Sequence, residues 1–127
     1  MSRAILLFAH GARDPEWARP FEAIRAAIAQ QAVDVPVALC FLELMTPDLP
    51  TAARQLLAQG ATRLVVIPLF MAQGGHLRKD LPRLIADLLE AHPQLEITLA
   101  PAIGEVPALT TAIASWACAY ALRAHPG

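Results

Sequence analysis

The stretch Arg63-Leu64-Val65-Val66-Ile67-Pro68-Leu69-Phe70-Met71-Ala72-Gln73-Gly74-Gly75-His76 changes character partway along, and that change decides the fold. Its first half is an apolar run with no polar alternation, β-branched at Val65, Val66 and Ile67. Such a run reads as a strand covered on both faces. Its second half is a glycine-bearing loop closed by a histidine. A buried strand over 63–70 that opens into a loop of polar chemistry points to a parallel α/β sheet, where ligands collect beyond the carboxyl ends of the strands.

Working outward, three more strands are expected at 4–9, 35–41 and 95–99. The last is shorter and more polar, which suits a sheet edge. Helical periodicity fills the intervals. Trp17, Phe21, Ile24 and Ile28 define one stripe, with Pro20 in or near the first turn. Thr46 and Pro47 read as a cap and first helical residue before Leu49, Ala53, Leu56 and Leu57, with Gly60 as the stop. Asp80 reads as the N-cap of a third helix that carries Pro82, Leu84, Ile85, Leu88 and Leu89. Pro107, Leu109, Ile113, Trp116, Ala117 and Tyr120 mark a fourth. This βαβαβαβα rhythm, with right-handed crossovers, predicts a single domain over residues 1–127. The expected fold is a small flavodoxin-like three-layer αβα arrangement around a four-stranded parallel sheet in the order 2-1-3-4.

Composition narrows the function classes. Of 127 residues, 56% are hydrophobic and 17% charged, below the roughly 25% charged share of ordinary domains. Such a chain must bury its sheet thoroughly or hide surface against a partner, so a homodimer is expected. A net charge of -1 with no basic tract excludes a general nucleic-acid backbone binder. The apolar start is too short for a membrane span and reads better as the first strand than as a signal peptide. Cys40 and Cys118 lack zinc-site or redox spacing, which points to a reducing compartment, most simply the cytoplasm.

Three residues follow three strands: His10 after the first, Glu43 after the second, His76 after the third. The order 2-1-3-4 brings those strand ends to one cleft. Two imidazoles and a carboxylate suit a divalent first-row metal and fall short of the four ligands of a structural zinc site, so the donor set leaves room for substrate. The residues admit a shared metal or acid–base role, or histidines that only cap loops and a solvated Glu43. Gly11 allows a sharp exit from the first strand; Gly74 and Gly75 permit positive φ or close approach to a ligand. Neither cluster has dinucleotide or phosphate-loop spacing, so no nucleotide is expected. Arg13, Arg78 and Lys79 share these loops and would attract a ligand bearing several carboxylates, or serve as solvated surface charges. Met71 is a candidate cleft wall. Trp17, Trp116 and Tyr120 read as core or interface, His92 as a helix-end residue and His125 as an uninvolved tail residue. Histidine phosphotransfer is a weaker alternative, because Ala9 stands where such enzymes carry the arginine of an Arg-His-Gly triplet.

Three motifs together carry a family resemblance: Ala9-His10-Gly11-Ala12-Arg13-Asp14-Pro15, then Phe41-Leu42-Glu43, then Pro68-Leu69-Phe70-Met71-Ala72-Gln73-Gly74-Gly75-His76-Leu77-Arg78-Lys79-Asp80-Leu81-Pro82. Over nearly the whole chain the sequence resembles the small CbiX/SirB-type class II chelatases, which insert Co, Fe or, in related members, Ni into sirohydrochlorin. The resemblance implies a lyase-type chelatase that uses no ATP, takes Co²⁺, Fe²⁺ or Ni²⁺ as substrate and acts as a homodimer. It puts the active-site histidines at His10 and His76 and the acidic residue at Glu43. Ala12 departs from the commonest first motif, which has serine there. A non-catalytic metal or tetrapyrrole carrier on the same fold is the alternative.

Overall fold

A computed structural model describes residues 2–123, with His76 described by its backbone alone; His125 lies outside the described residues. The elements follow in strict alternation: β1 (Ser2–Ala9), a 3-10 turn (Pro15–Ala18), α1 (Arg19–Gln31), β2 (Val37–Phe41), α2 (Leu49–Ala58), β3 (Ala61–Pro68), α3 (Gly75–Ala91), β4 (Glu96–Leu99), a second 3-10 turn (Ile103–Glu105) and α4 (Pro107–Arg123). All four strands are parallel, in the order β2-β1-β3-β4, as the sequence predicts. Register is fixed at the centre by Ile5, which lies opposite Val37 on one side and Val65 on the other.

Because side chains alternate along a strand, the two faces of the sheet can be told apart. Leu6, Phe8, Cys40, Leu64 and Val66 point to one face and are fully buried there with Leu49, Ala52, Ala53 and Leu56 of α2 and Leu77, Leu81 and Leu88 of α3. Each such aliphatic side chain contributes about 1.5–3 kcal/mol of burial. Leu7, Ala9, Leu39, Phe41 and Leu69 point to the other face, where Trp17, Phe21 and Ile28 pack over them. Trp17 and Phe21 lie with ring centroids 4.6 Å apart, so Trp17 is a packing residue. The second face is thinner: Ile5, Val65 and Ile67 are only half-buried, and β4 is exposed along most of its length.

Two helix starts differ from the sequence expectation. α2 is capped by Asp48, whose carboxylate accepts from the Thr51 N–H at 2.9 Å, and Pro50 rather than Pro47 lies in its first turn. The Pro47 carbonyl is taken by the Phe41 N–H at 3.0 Å, which holds residues 42–47 as a loop. α3 begins at Gly75, five residues before Asp80, because the apolar stripe runs back through Leu81 to Leu77. Asp80 is therefore interior to the helix and not its cap. Pro82 removes one donor from that helix, yet packing of Leu81 and Leu88 on the sheet carries it through. Gly60, with φ +100°, ends α2 as expected, and His92 caps the end of α3 through its N–H to the Leu88 carbonyl. The largest departure is α4: every residue from 107 to 123 is exposed. Trp116 and Tyr120 stack on one another, outside the core of their own chain.

Candidate functional site

Three loops leave the carboxyl ends of β1, β2 and β3 side by side, and backbone hydrogen bonds sew them together. The Leu42 N–H donates to the Ala9 carbonyl at 2.9 Å, the Glu43 N–H to the His10 carbonyl at 3.1 Å, and the Leu69 N–H to the Phe8 carbonyl at 2.8 Å. Gly11 makes the approach of the first loop to the Glu43 backbone feasible. Its φ is +97°, and a Cβ there would collide with the Glu43 carbonyl oxygen. The glycine therefore serves both a left-handed turn and a backbone-to-backbone approach.

This stitching brings His10 and Glu43 together. His10 Nε2 lies 3.4 Å from Glu43 Oε2, with the two side chains 53% and 55% exposed. A side-chain contact so open to water contributes less than about 1 kcal/mol to stability, so fold stability does not account for the arrangement. Phe70, just past β3, supports the imidazole edge-on at 6.5 Å and is itself held edge-on by Phe8 at 5.7 Å. Phe70 was legible in sequence only as part of a motif; its role depends on the spatial neighbourhood of β1 and β3. Leu44, next to Glu43, has φ +66° and projects from the rim. A left-handed backbone at a leucine costs about 1–2 kcal/mol, here offset by the bond from the Met45 N–H to the Glu43 carbonyl at 2.8 Å.

The remaining predicted residues fall around this pair. The backbone of His76 lies in the first turn of α3, on the same rim, while its side chain is outside the described set. Gly74 caps α3 with φ −68° and Gly75 begins it. Neither has positive φ, and a Cβ at either would meet no atom within 4 Å. Their backbone therefore faces open space, so of the two expectations for these glycines the positive φ is not met. Arg13 on the first loop and Arg78 and Lys79 in the first turn of α3 are exposed, as is Met71. Among the described residues no group of three or more His, Cys, Asp or Glu side chains is arranged to hold a metal ion.

Two shallow clefts flank the pair. One, of about 430 Å³, is bordered by Ala12, Arg13, Leu44 and Met45; the other, of about 520 Å³, by Glu43, Thr46, Asp48 and Gln55. A larger cavity of about 680 Å³ lies at the opposite end of the sheet, between Arg54, Ala61, His92 and Leu95. Its one imidazole belongs to the residue that ends α3, and no carboxylate lines it, so the chemistry resides at the rim. Cys40, buried beneath the sheet's helical layer, has its thiol pushed well above the usual range by burial and takes no part in it. No helix among the described residues is long and apolar enough to cross a membrane.

Comparison with known proteins agrees with this picture. A protein from Saccharolobus solfataricus named sirohydrochlorin cobaltochelatase is 36% identical over 106 residues, covering 79% of this chain and 81% of its own. One from Priestia megaterium named sirohydrochlorin ferrochelatase is 34% identical over 95 residues, covering 74% of this chain but 35% of its own. The chain thus spans about a third of the latter relative. A crystal structure of a CbiX protein from Marinobacter aquaeolei VT8 superposes with a TM-score of 0.84 at 34% identity, covering 96% of this chain and 99% of the other. Bacillus subtilis SirB in complex with cobalt superposes at 0.78 with 27% identity, over 91% of this chain and 49% of its own. The model of the CbiX family matches residues 4–118, and the chain belongs to that family.

Proposed function

We propose that this chain inserts a divalent metal ion into sirohydrochlorin without ATP, with Co²⁺ the first candidate and Fe²⁺ and Ni²⁺ the others. The observation that carries the reading is the His10–Glu43 pair, held 3.4 Å apart on an open rim by loops of a CbiX-family chain. The names of the relatives, ferrochelatase in one case and cobaltochelatase in another, support the substrate class and leave several metals in play.

In this reading the macrocycle lies over the rim. Its peripheral acids face Arg13 on one side and Arg78, Lys79 and the N–H groups at Gly74 and Gly75 on the other. His10 and His76 hold the incoming metal ion and accept the protons that leave the two pyrrole nitrogens. Glu43 orients His10, balances the metal charge and offers a second proton acceptor. Phe70 keeps the His10 ring upright so that its nitrogen stays aimed at the rim. The metal is substrate throughout, which suits a site with donors to spare for exchange. Two copies of the chain form the working assembly, and the two cysteines, both free thiols, fit a cytoplasmic location.

The test supplies sirohydrochlorin anaerobically with Co²⁺, Fe²⁺ or Ni²⁺ and follows the absorption spectrum. Insertion faster than in the metal-only control is expected with at least one ion. His10→Ala should slow it by about 100-fold or more, and Glu43→Gln by about 10–100-fold. Binding of the tetrapyrrole with no acceleration by any of the three ions would replace the enzyme with a carrier. Full activity in the His10→Ala, His76→Ala double variant would refute the site.

A further inference from the structure

Leu44 is held in a conformation from which neither its backbone nor its packing gains. Among the described residues, positive φ occurs at Gly11, Gly60 and Leu44. The first two are glycines, for which that region carries no steric cost. Leu44 has φ +66° and a side chain that is 57% exposed.

The turn around it is fixed from both sides. The Glu43 N–H donates to the His10 carbonyl at 3.1 Å, and the Glu43 carbonyl, against which Gly11 rests, accepts the Met45 N–H at 2.8 Å. A bond across two residues with positive φ between them has the form of the rarer, strained γ-turn. It sends Met45 inward, onto the buried cluster of the second sheet face, and Leu44 outward. Glycine would close the same turn without the strain, so the fold gives no reason for a leucine. Strain of this kind concentrates where a side chain must be presented to a ligand.

The two clefts that flank the turn say which ligand. They share Met45 and Thr46 and are opposite in charge. The cleft of about 430 Å³, which Leu44 lines, has Ala12, Phe41 and Met45 as further apolar walls and Arg13 as its cation. Its one carboxylate, Glu22, is engaged by Arg25 at 3.3 Å, and among the described residues Arg13 has no ion-pair partner. The cleft of about 520 Å³ carries the carboxylates of Glu43 and Asp48 and no cation. A group welcome in the first and repelled by the second has a flat apolar edge and an anionic arm. One pyrrole ring with a carboxylate side chain has both, and the first cleft lies within the roughly 300–1,000 Å³ range of small-molecule sites.

We propose that Leu44 is a specificity residue that touches substrate: its side chain is the apolar wall for one ring of the macrocycle, whose carboxylate arm pairs with Arg13. The turn keeps that wall raised and divides the cationic cleft from the acidic one, so the ring enters with its arm toward Arg13 and away from Glu43. The assignment rests on the sirohydrochlorin reading above and names the residue that selects the orientation.

Leu44→Gly and Leu44→Asn separate the contact from the turn, because both residues accept positive φ. Each should leave the urea unfolding midpoint unchanged or raised, while raising the KM for sirohydrochlorin about tenfold or more with kcat within about twofold. Leu44→Met keeps the apolar wall and should keep a near-native KM. Val33→Ser, at an exposed apolar site before β2, leaves KM unchanged. Titration of sirohydrochlorin without metal, followed by its absorption, should show weaker binding by Leu44→Gly and Leu44→Asn, so Leu44 is read whether or not the chain turns substrate over. Native KM and native binding in both variants would overturn the assignment and leave chelation standing. A KM that rises only in step with a lowered unfolding midpoint would make Leu44 a structural residue and overturn it as well. So would an altered mass in light scattering with tetrapyrrole binding intact, which would give Leu44 to a contact between copies. A native chain that binds sirohydrochlorin and inserts no metal refutes the enzyme alone; one that does not bind it refutes both.

Discussion

At the scale of single residues, Gly11 has the widest reach, because it lets one loop's backbone rest on the next and so sets the spacing of His10 and Glu43. Gly11→Ala combines a left-handed backbone, costing about 1–2 kcal/mol, with a collision against the Glu43 carbonyl. The expected outcome is a loss of at least that much in urea unfolding, together with slower metal insertion. Asp48 supplies a pH-dependent test. Hydrogen bonds from the Thr51 hydroxyl and N–H hold its carboxyl below the usual aspartate value. A carboxyl lowered on folding stabilises the fold above its unfolded value of about 3.9, and that contribution is lost as pH falls through the folded value. Asp48→Ala should therefore cost about 1 kcal/mol at pH 7 and progressively less below about pH 4, as urea titrations at both ends would read. His10, Glu43 and Gly11 were legible in sequence because each follows an apolar run where a parallel strand must end. Phe70, Leu44 and Gly104 were not, since a ring support, a strained rim residue and a backbone lock are defined by neighbours distant in sequence.

At the scale of elements, the four strands and their order follow from the alternation of apolar runs with helical stripes, since crossover handedness leaves few arrangements. Helix starts were harder. Thr46-Pro47 and Asp48-Leu49-Pro50 offer two cap-and-proline pairs two residues apart, and the choice is made by the Phe41 N–H, which claims the Pro47 carbonyl for a loop. α4 was legible as a helix but not as a projecting one. Leu109, Ile113, Trp116 and Tyr120 have the spacing of a core stripe, and a stripe reads the same whether it is buried on its own sheet or on a neighbour's. The two sheet faces should respond unequally to truncation. Leu64→Ala, in the closed face with α2 and α3, is expected to lose about 2–5 kcal/mol. Val65→Ala, one residue along on the half-open face, should lose clearly less in the dissociated chain, as chemical denaturation at low protein concentration would show.

At the scale of the whole molecule, an apolar helix outside the fold makes stability depend on concentration. If the copies associate through α4, binding linkage raises the unfolding midpoint with protein concentration. Thermal scans over a hundredfold range should show that rise for the native chain and a flat response for Trp116→Glu. The 56% hydrophobic content is accommodated in this way: the closed face takes one share of it and the exposed α4 another.

The lock between Gly104 and the backbone of Phe70 and Met71 ties the rim loop after β3 and the root of α4 into one mechanical unit. A macrocycle that displaces Met71 would press on the root of α4 through this lock, and in the proposed two-copy assembly that would couple the two clefts. Gly104→Ala forces that unit apart. It should alter the KM for sirohydrochlorin and the dissociation constant of the dimer together, and a change in only one of them would show that the lock transmits nothing.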